Sequence, residues 1–112
     1  RIVRFRLPIG VSYNEDPEIV KKLLLEVADE NPNVQKEPKP KVFFDNYGES
    51  SLDFRLGIWT STFTDKPEFL KSEIYFAIFK KFKENNIQIP YPQRDVHIKT
   101  QVKWMYEKKI FN

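Results

Sequence analysis

An α+β fold is expected, with a four-stranded antiparallel sheet covered on one face by two helices. Three observations lead there. Apolar residues alternate with period 2 over residues 3–13 and 52–58, the pattern of strands buried on one side. They recur at helical spacing over residues 19–28 and 70–82, each leaving a polar or mixed opposite side. The order of the elements is strand, helix, strand, strand, helix, strand, and 112 residues hold one such domain.

In the first strand Val3, Phe5, Leu7, Ile9, Val11 and Tyr13 share a face, and Arg4, Arg6, Pro8, Gly10 and Ser12 share the other. Pro8 cannot donate to a ladder, so a break is expected there, with residues 1–7 ending one element and residues 9–13 beginning the main domain. Asp16 is expected to cap the first helix, followed by Pro17 at the first helical position and Glu18 at the positive end of the dipole. Ile19, Val20, Leu23, Leu24, Val27 and Ala28 form its apolar stripe. Leu25 points to the polar side, where it is either a solitary exposed leucine or a partner contact. Residues 31–40 contain three prolines and read as a loop.

Val42, Phe43 and Phe44 form a short second strand. Tyr47, Gly48, Glu49 and Ser50 connect it as a hairpin to the third, where Leu52, Phe54, Leu56 and Ile58 alternate with Asp53, Arg55, Gly57 and Trp59. Asp65 is expected to cap the second helix, with Pro67 in its first turn. Its stripe is Leu70, Ile74, Ala77, Ile78 and Phe82, while Phe69, Phe76 and Phe79 lie on the far side. Such a helix is either covered on two sides, the second cover being another chain, or carries surface aromatics. Asn85 and Asn86 end it, and residues 87–89 are expected as a short fourth strand. Pro90, Tyr91 and Pro92 then stiffen the chain. Residues 95–99 alternate again as a short strand. The βαββαβ order with both helices on one face is the ferredoxin-like arrangement.

Composition and charge exclude several functions. No apolar run approaches the ~18–20 residues of a membrane helix, so this chain spans no membrane as a helix. With no cysteine, disulfides, thiolate metal sites and cysteine nucleophiles are out. The net charge of +3 is uneven: residues 1–6 carry +3, residues 94–112 carry +3, and the body between them nets −3. An acidic body argues against a sequence-general nucleic-acid binder, whose docking face is basic.

No constellation for catalysis is present. His97 is the only histidine, with Asp95 two residues before it and so on the same face of a strand. The pair needs further ligands to make a metal site and a positioned serine to make a hydrolase. The three glycines, Gly10, Gly48 and Gly57, write no phosphate loop or dinucleotide fingerprint. No enzyme, metal or cofactor is expected. The open face of the sheet, holding Arg4, Arg6, Arg55 and Trp59, supports one alternative, a ferredoxin-like RNA-binding or small-ligand regulatory module. The glycine- and aromatic-rich run of an RNA-binding sheet is missing from the third strand, where Phe54 lies in the core register.

Residues 89–99 read IPYPQRDVHIK. This closely resembles the C-terminal signature of the MscS-type small-conductance mechanosensitive channels. Residues 9–20, IGVSYNEDPEIV, resemble that family's approach to its cytoplasmic α/β domain, and residues 47–59, YGESSLDFRLGIW, its hairpin and long third strand. The resemblance implies the vestibule domain of a tension-gated channel that releases solutes during hypo-osmotic shock. It implies a homo-oligomer, a heptamer in the full-length protein, whose cytoplasmic parts form a hollow vestibule with side openings that filters solutes. It also implies a location at the inner (cell) membrane, with this part on the cytoplasmic side and lipid contact only through N-terminal helices outside this sequence. No nucleic-acid partner is implied.

Under the resemblance, residues 1–8 end a preceding β domain, residues 9–93 form the cytoplasmic α/β domain, and residues 94–112 give a C-terminal barrel strand and tail. Pro90, Tyr91, Pro92 and Gln93 become a rigid link to the barrel. Val96, His97 and Ile98 join Leu25, Phe69, Phe76 and Phe79 as candidate contacts between subunits. A lone barrel strand is stable only when neighbouring chains supply the others. The first residue is Arg1 rather than Met, in keeping with a piece of a longer protein.

Overall fold

Alternation and helical spacing produce the architecture, which a computed structural model describes for residues 2–62 and 64–90. The elements are β1 (Val3–Val11), α1 (Pro17–Glu30), β2 (Lys41–Tyr47), β3 (Leu52–Thr60) and α2 (Pro67–Glu84). The sheet is antiparallel in the order β1-β3-β2. β1 and β3 pair along their whole length, from Val3 opposite Thr60 to Val11 opposite Leu52. That register puts Phe5, Leu7, Ile9 and Val11 beside Leu52, Phe54, Leu56 and Ile58 on one face. The buried stripes of both helices complete a single core with them.

α1 begins as its sequence dictates. Asp16 Oδ1 accepts from the Glu18 amide at 2.9 Å, and Pro17 occupies the first helical position. Val20, Leu23, Leu24, Val27 and Ala28 are buried, whereas Ile19, expected in the stripe, is half exposed at the helix start. The loop after α1 is tied down: Val34 is buried, the Gln35 amide donates to the Trp59 carbonyl at 2.7 Å, and the buried Thr60 hydroxyl donates to the Asn33 carbonyl at 2.6 Å.

β2 is longer than expected and carries a bulge between Phe44 and Asn46. Asp45, the extra residue, meets Arg55 of β3 there, with Nε 3.1 Å from Oδ2. The β2–β3 turn requires its glycine. A Cβ on Gly48 would lie 2.5 Å from Asp53 Oδ2 and 2.9 Å from the Ser51 carbonyl.

The expected break at Pro8 is absent: β1 runs through it unbroken. Pro8 lies opposite Arg55, and its carbonyl accepts from the Tyr75 hydroxyl at 2.8 Å. In an antiparallel strand a residue's N–H and C=O positions point the same way. At Pro8 both face the outer edge, where a missing donor removes no ladder bond.

The cap of α2 also differs from expectation. The N-cap is Lys66, without a side-chain hydrogen bond, and Asp65 lies one residue too early. Pro67 and Glu68 still favour the first turn. The C-terminus is a full capping motif. Asn86 has φ of 59°, its amide donates to the Lys83 carbonyl at 3.3 Å, and the Ile87 amide reaches the Phe82 carbonyl at 2.9 Å.

Three strands, not four, are present among the described residues, so the described order is βαββα and the ferredoxin-like arrangement is incomplete there. The strand expected at residues 87–89 does not form, and the donors of Ile87 and Gln88 are committed elsewhere. Ile87 caps α2, and the Gln88 amide donates to the Glu15 carboxylate at 2.9 Å. One backbone bond joins them to the end of β1, from the Ser12 amide to the Gln88 carbonyl at 2.9 Å. The next residue, Pro90, has no donor to extend it. The expected strand at residues 95–99 lies outside the described residues.

Candidate functional site

Two surfaces carry side chains that the core does not explain. The first is the outward side of α2. Its buried side is Leu70, Ile74, Ile78 and Phe82, a row spaced by four that faces the sheet. The opposite side holds Phe69, Phe76 and Phe79, with exposures of 57%, 76% and 56%. Their spacings of seven and three keep them on one stripe. Ser72, Tyr75, Phe76 and Phe79 line a concavity of about 400 Å³. Tyr75 is pinned at the edge of that stripe by its bond to Pro8, and burial raises its phenol above the ordinary value of 10.0. An apolar stripe of this kind binds apolar surface.

Leu25 does not join the phenylalanines. It is half buried on α1 and lines a separate concavity with Glu18, Lys21, Lys22, Glu26 and Asp29. The two helices are linked at their polar margin. Lys81 Nζ lies 3.0 Å from Glu30 Oε2 and 3.5 Å from Glu26 Oε1. The hydrogen bond to Glu30 is the largest cause that holds the Lys81 pKa above 10.5.

The second surface is the open face of the sheet. Arg4, Arg6, Arg55 and Trp59 share it, as their alternation predicts. The alternation also places Gly57 there, the register adds Lys41 and Phe43, and the seven line a concavity of about 320 Å³. Sequence reasoning placed Gly57 on this face by its alternation but missed Lys41 and Phe43. Lys41 and Phe43 alternate with Val42 and Phe44, and that short pattern was the available signal. Their row on β3 is fixed only by pairing. Counting charge by segment assigned Arg4 and Arg6 to a chain end, but both stand on the sheet beside Arg55 and Lys41.

Among the described residues, no group of three or more His, Cys, Asp or Glu comes together to hold a metal, and no helix is long and apolar enough to cross a membrane. Pro90 is half buried at the end of the described chain. Tyr91, Pro92, Gln93, Asp95, Val96, His97 and Ile98 lie outside the described residues.

Comparison with known proteins covers most of this body. A family model described as "Mechanosensitive ion channel MscS, C-terminal" matches residues 5–89. An MscS family protein of Synechocystis sp. is 40% identical over 103 residues, covering 85% of this chain and 31% of the relative. Mechanosensitive channel MscK of Escherichia coli is 36% identical over 95 residues, covering 85% of this chain and 8% of the relative. The chain thus spans about a third of one relative's length and under a tenth of the other's. The crystal structure of Helicobacter pylori MscS in its closed state superposes with a TM-score of 0.75 at 27% identity, over 89% of this chain and 39% of that one.

Proposed function

We propose, from the premise that this chain belongs to the MscS family of mechanosensitive ion channels as a C-terminal domain, that it builds the cytoplasmic vestibule of a tension-gated channel. The parent protein sits in the inner (cell) membrane and releases solutes during hypo-osmotic shock. This domain acts by assembly and by filtering what reaches the pore. Seven copies surround the vestibule, and lipid is met only by segments outside this sequence.

The outward aromatic stripe of α2 carries the assembly reading. Exposed phenylalanines in a row lose hydration when another copy covers them, at roughly 25 cal/mol per Å² of apolar surface, and a patch of this kind on a small domain marks a contact. Phe69, Phe76 and Phe79 face a neighbouring copy, and Leu25 contributes from α1. Residues 1–8 lead in from a preceding β domain, and from Val3 onward they already pair with β3. Residues 9–93 form the α/β domain. Pro90, Tyr91, Pro92 and Gln93 form a stiff link to residues 94–112, where Val96, His97 and Ile98 meet their counterparts in a barrel shared among subunits.

The test is the full-length parent protein produced in a bacterial host that lacks its own mechanosensitive channels. Survival of a sudden drop in osmolarity, with tension-activated currents in excised patches, is the expected result. Currents absent at lytic tension in protein that reaches the membrane would overturn the channel role.

A further inference from the structure

Gly57 stands at the centre of the open sheet face. Arg6 of β1 and Lys41 of β2 lie directly across from it on either side, and Arg55 and Trp59 precede and follow it by two on β3. Arg4, opposite Trp59, and Phe43, opposite Arg55, close the corners. A Cβ at position 57 would meet only the Lys41 carbonyl, at 3.8 Å, and the glycine φ is not positive. The backbone therefore does not require glycine here. Its effect is to leave a bare floor beneath six side chains, the 320 Å³ concavity, a volume at the small end for ligand sites.

The rim is charged in one sense. Arg55 is engaged by Asp45, with Nε 3.1 Å from Oδ2 and Nη2 3.2 Å from Oδ1, and its guanidinium lies 4.7 Å from the centre of the Phe43 ring. The Nη2 hydrogen bond and the ring contact orient the guanidinium, while the buried Nε makes no hydrogen bond. Among the described residues no ion pair holds Arg4, Arg6 or Lys41. Like charges set around one point on a sheet repel, and an anion seated between them removes the repulsion.

We propose that this face binds a small soluble anion that joins a phosphate to a flat ring, the nucleoside monophosphate class. The phosphate sits over Gly57 among Arg4, Arg6 and Lys41, where guanidinium groups match its oxygens in pairs. The ring stacks on the Trp59 indole. The site is independent of the channel reading, because binding is measured on this chain without any current.

Isothermal titration of the 112-residue chain with AMP at low salt tests it, with adenosine and inorganic phosphate as the two halves of the ligand. AMP binds at roughly 0.1 mM, each half binds about tenfold more weakly, and affinity falls as salt is added. Trp59 fluorescence, read in a Trp104→Phe background, shifts on AMP addition. Arg6→Gln with Lys41→Gln weakens binding about tenfold or more, and Gly57→Leu, which fills the floor, abolishes it with the far-ultraviolet spectrum unchanged. The charge variant alters only exposed side chains, so it remains a valid readout if Gly57→Leu does not fold. No heat with AMP at several millimolar would overturn the proposal. So would affinity unmoved by the charge variant, heparin or single-stranded RNA displacing AMP at equal charge concentration, or flotation with phosphatidylglycerol vesicles that AMP does not reverse.

Discussion

α1 and α2 lie side by side and cover the same sheet, yet they are built differently. α1 is closed by its own sequence: Asp16 caps it, Pro17 opens it, and one stripe from Val20 to Ala28 is buried, with Ile19 and Leu25 the apolar residues outside it. α2 starts at Lys66 with no side-chain cap and ends through the Asn86 turn. It buries Leu70, Ile74, Ile78 and Phe82, and it carries Phe69, Phe76 and Phe79 on the other side. Outside its buried stripe α1 offers a single half-buried leucine, Leu25, rather than an aromatic row. α2 buries one row and leaves a second, aromatic row exposed, the surface we propose a neighbouring copy covers. The contrast separates what holds this domain together from what it offers to others.

The largest effect that tests this contrast is expected at the inner side of α2. Ile74 is fully buried, and Ile74→Ala should cost about 2–5 kcal/mol in urea unfolding. A loss below about 1 kcal/mol would mean that α2 is not anchored by this row. Next comes the cap of α1. Asp16→Ala should cost about 1 kcal/mol, whereas Asp65→Ala, one residue before the α2 cap, should cost less than half of that. Equal losses would erase the difference drawn between the helix starts.

A smaller effect is expected in alkali. The pKa values of Tyr75 and Lys81 are both raised in the folded chain, through burial and through the Glu30 hydrogen bond respectively. A raised folded value means stability that is complete below the ordinary values of 10.0 and 10.5 and lost as pH climbs through the folded ones. Urea midpoints should hold from neutral pH to about pH 9.5 and then fall, and the fall should be shallower in Tyr75→Phe with Lys81→Gln. An identical fall in that variant would remove both groups from the account. The smallest effect is expected at Phe76, where Phe76→Ser should change the stability of the isolated chain by less than about 0.5 kcal/mol.

Much of this division was legible in the residues. Asp16-Pro17 marks a helix start by local chemistry alone, and the two rows of α2 follow from spacing. Features that depend on a partner in space were harder to read. Pro8 looks like a strand break because a missing donor reads the same at an outer edge as within a sheet, and only the Tyr75 bond to its carbonyl distinguishes the two. Residues 87–89 look like a strand, but the donors of Ile87 and Gln88 go to Phe82 and Glu15. Arg4, Arg6, Arg55 and Trp59 could be placed on one face by parity. Lys41, Phe43 and the role of Gly57 required the pairing register.

The central claim is that the outward side of α2 is covered in the assembled protein. This chain contains no cysteine, so Phe76→Cys introduces a unique thiol within it, and Glu49→Cys in the exposed hairpin turn supplies a control. The measurement is the maleimide labelling rate in the full-length assembly and again after dissociation into subunits. The account predicts that position 76 is labelled at least about tenfold more slowly in the assembly than after dissociation, while position 49 is labelled at one rate in both. Equal rates at position 76 before and after dissociation would contradict it.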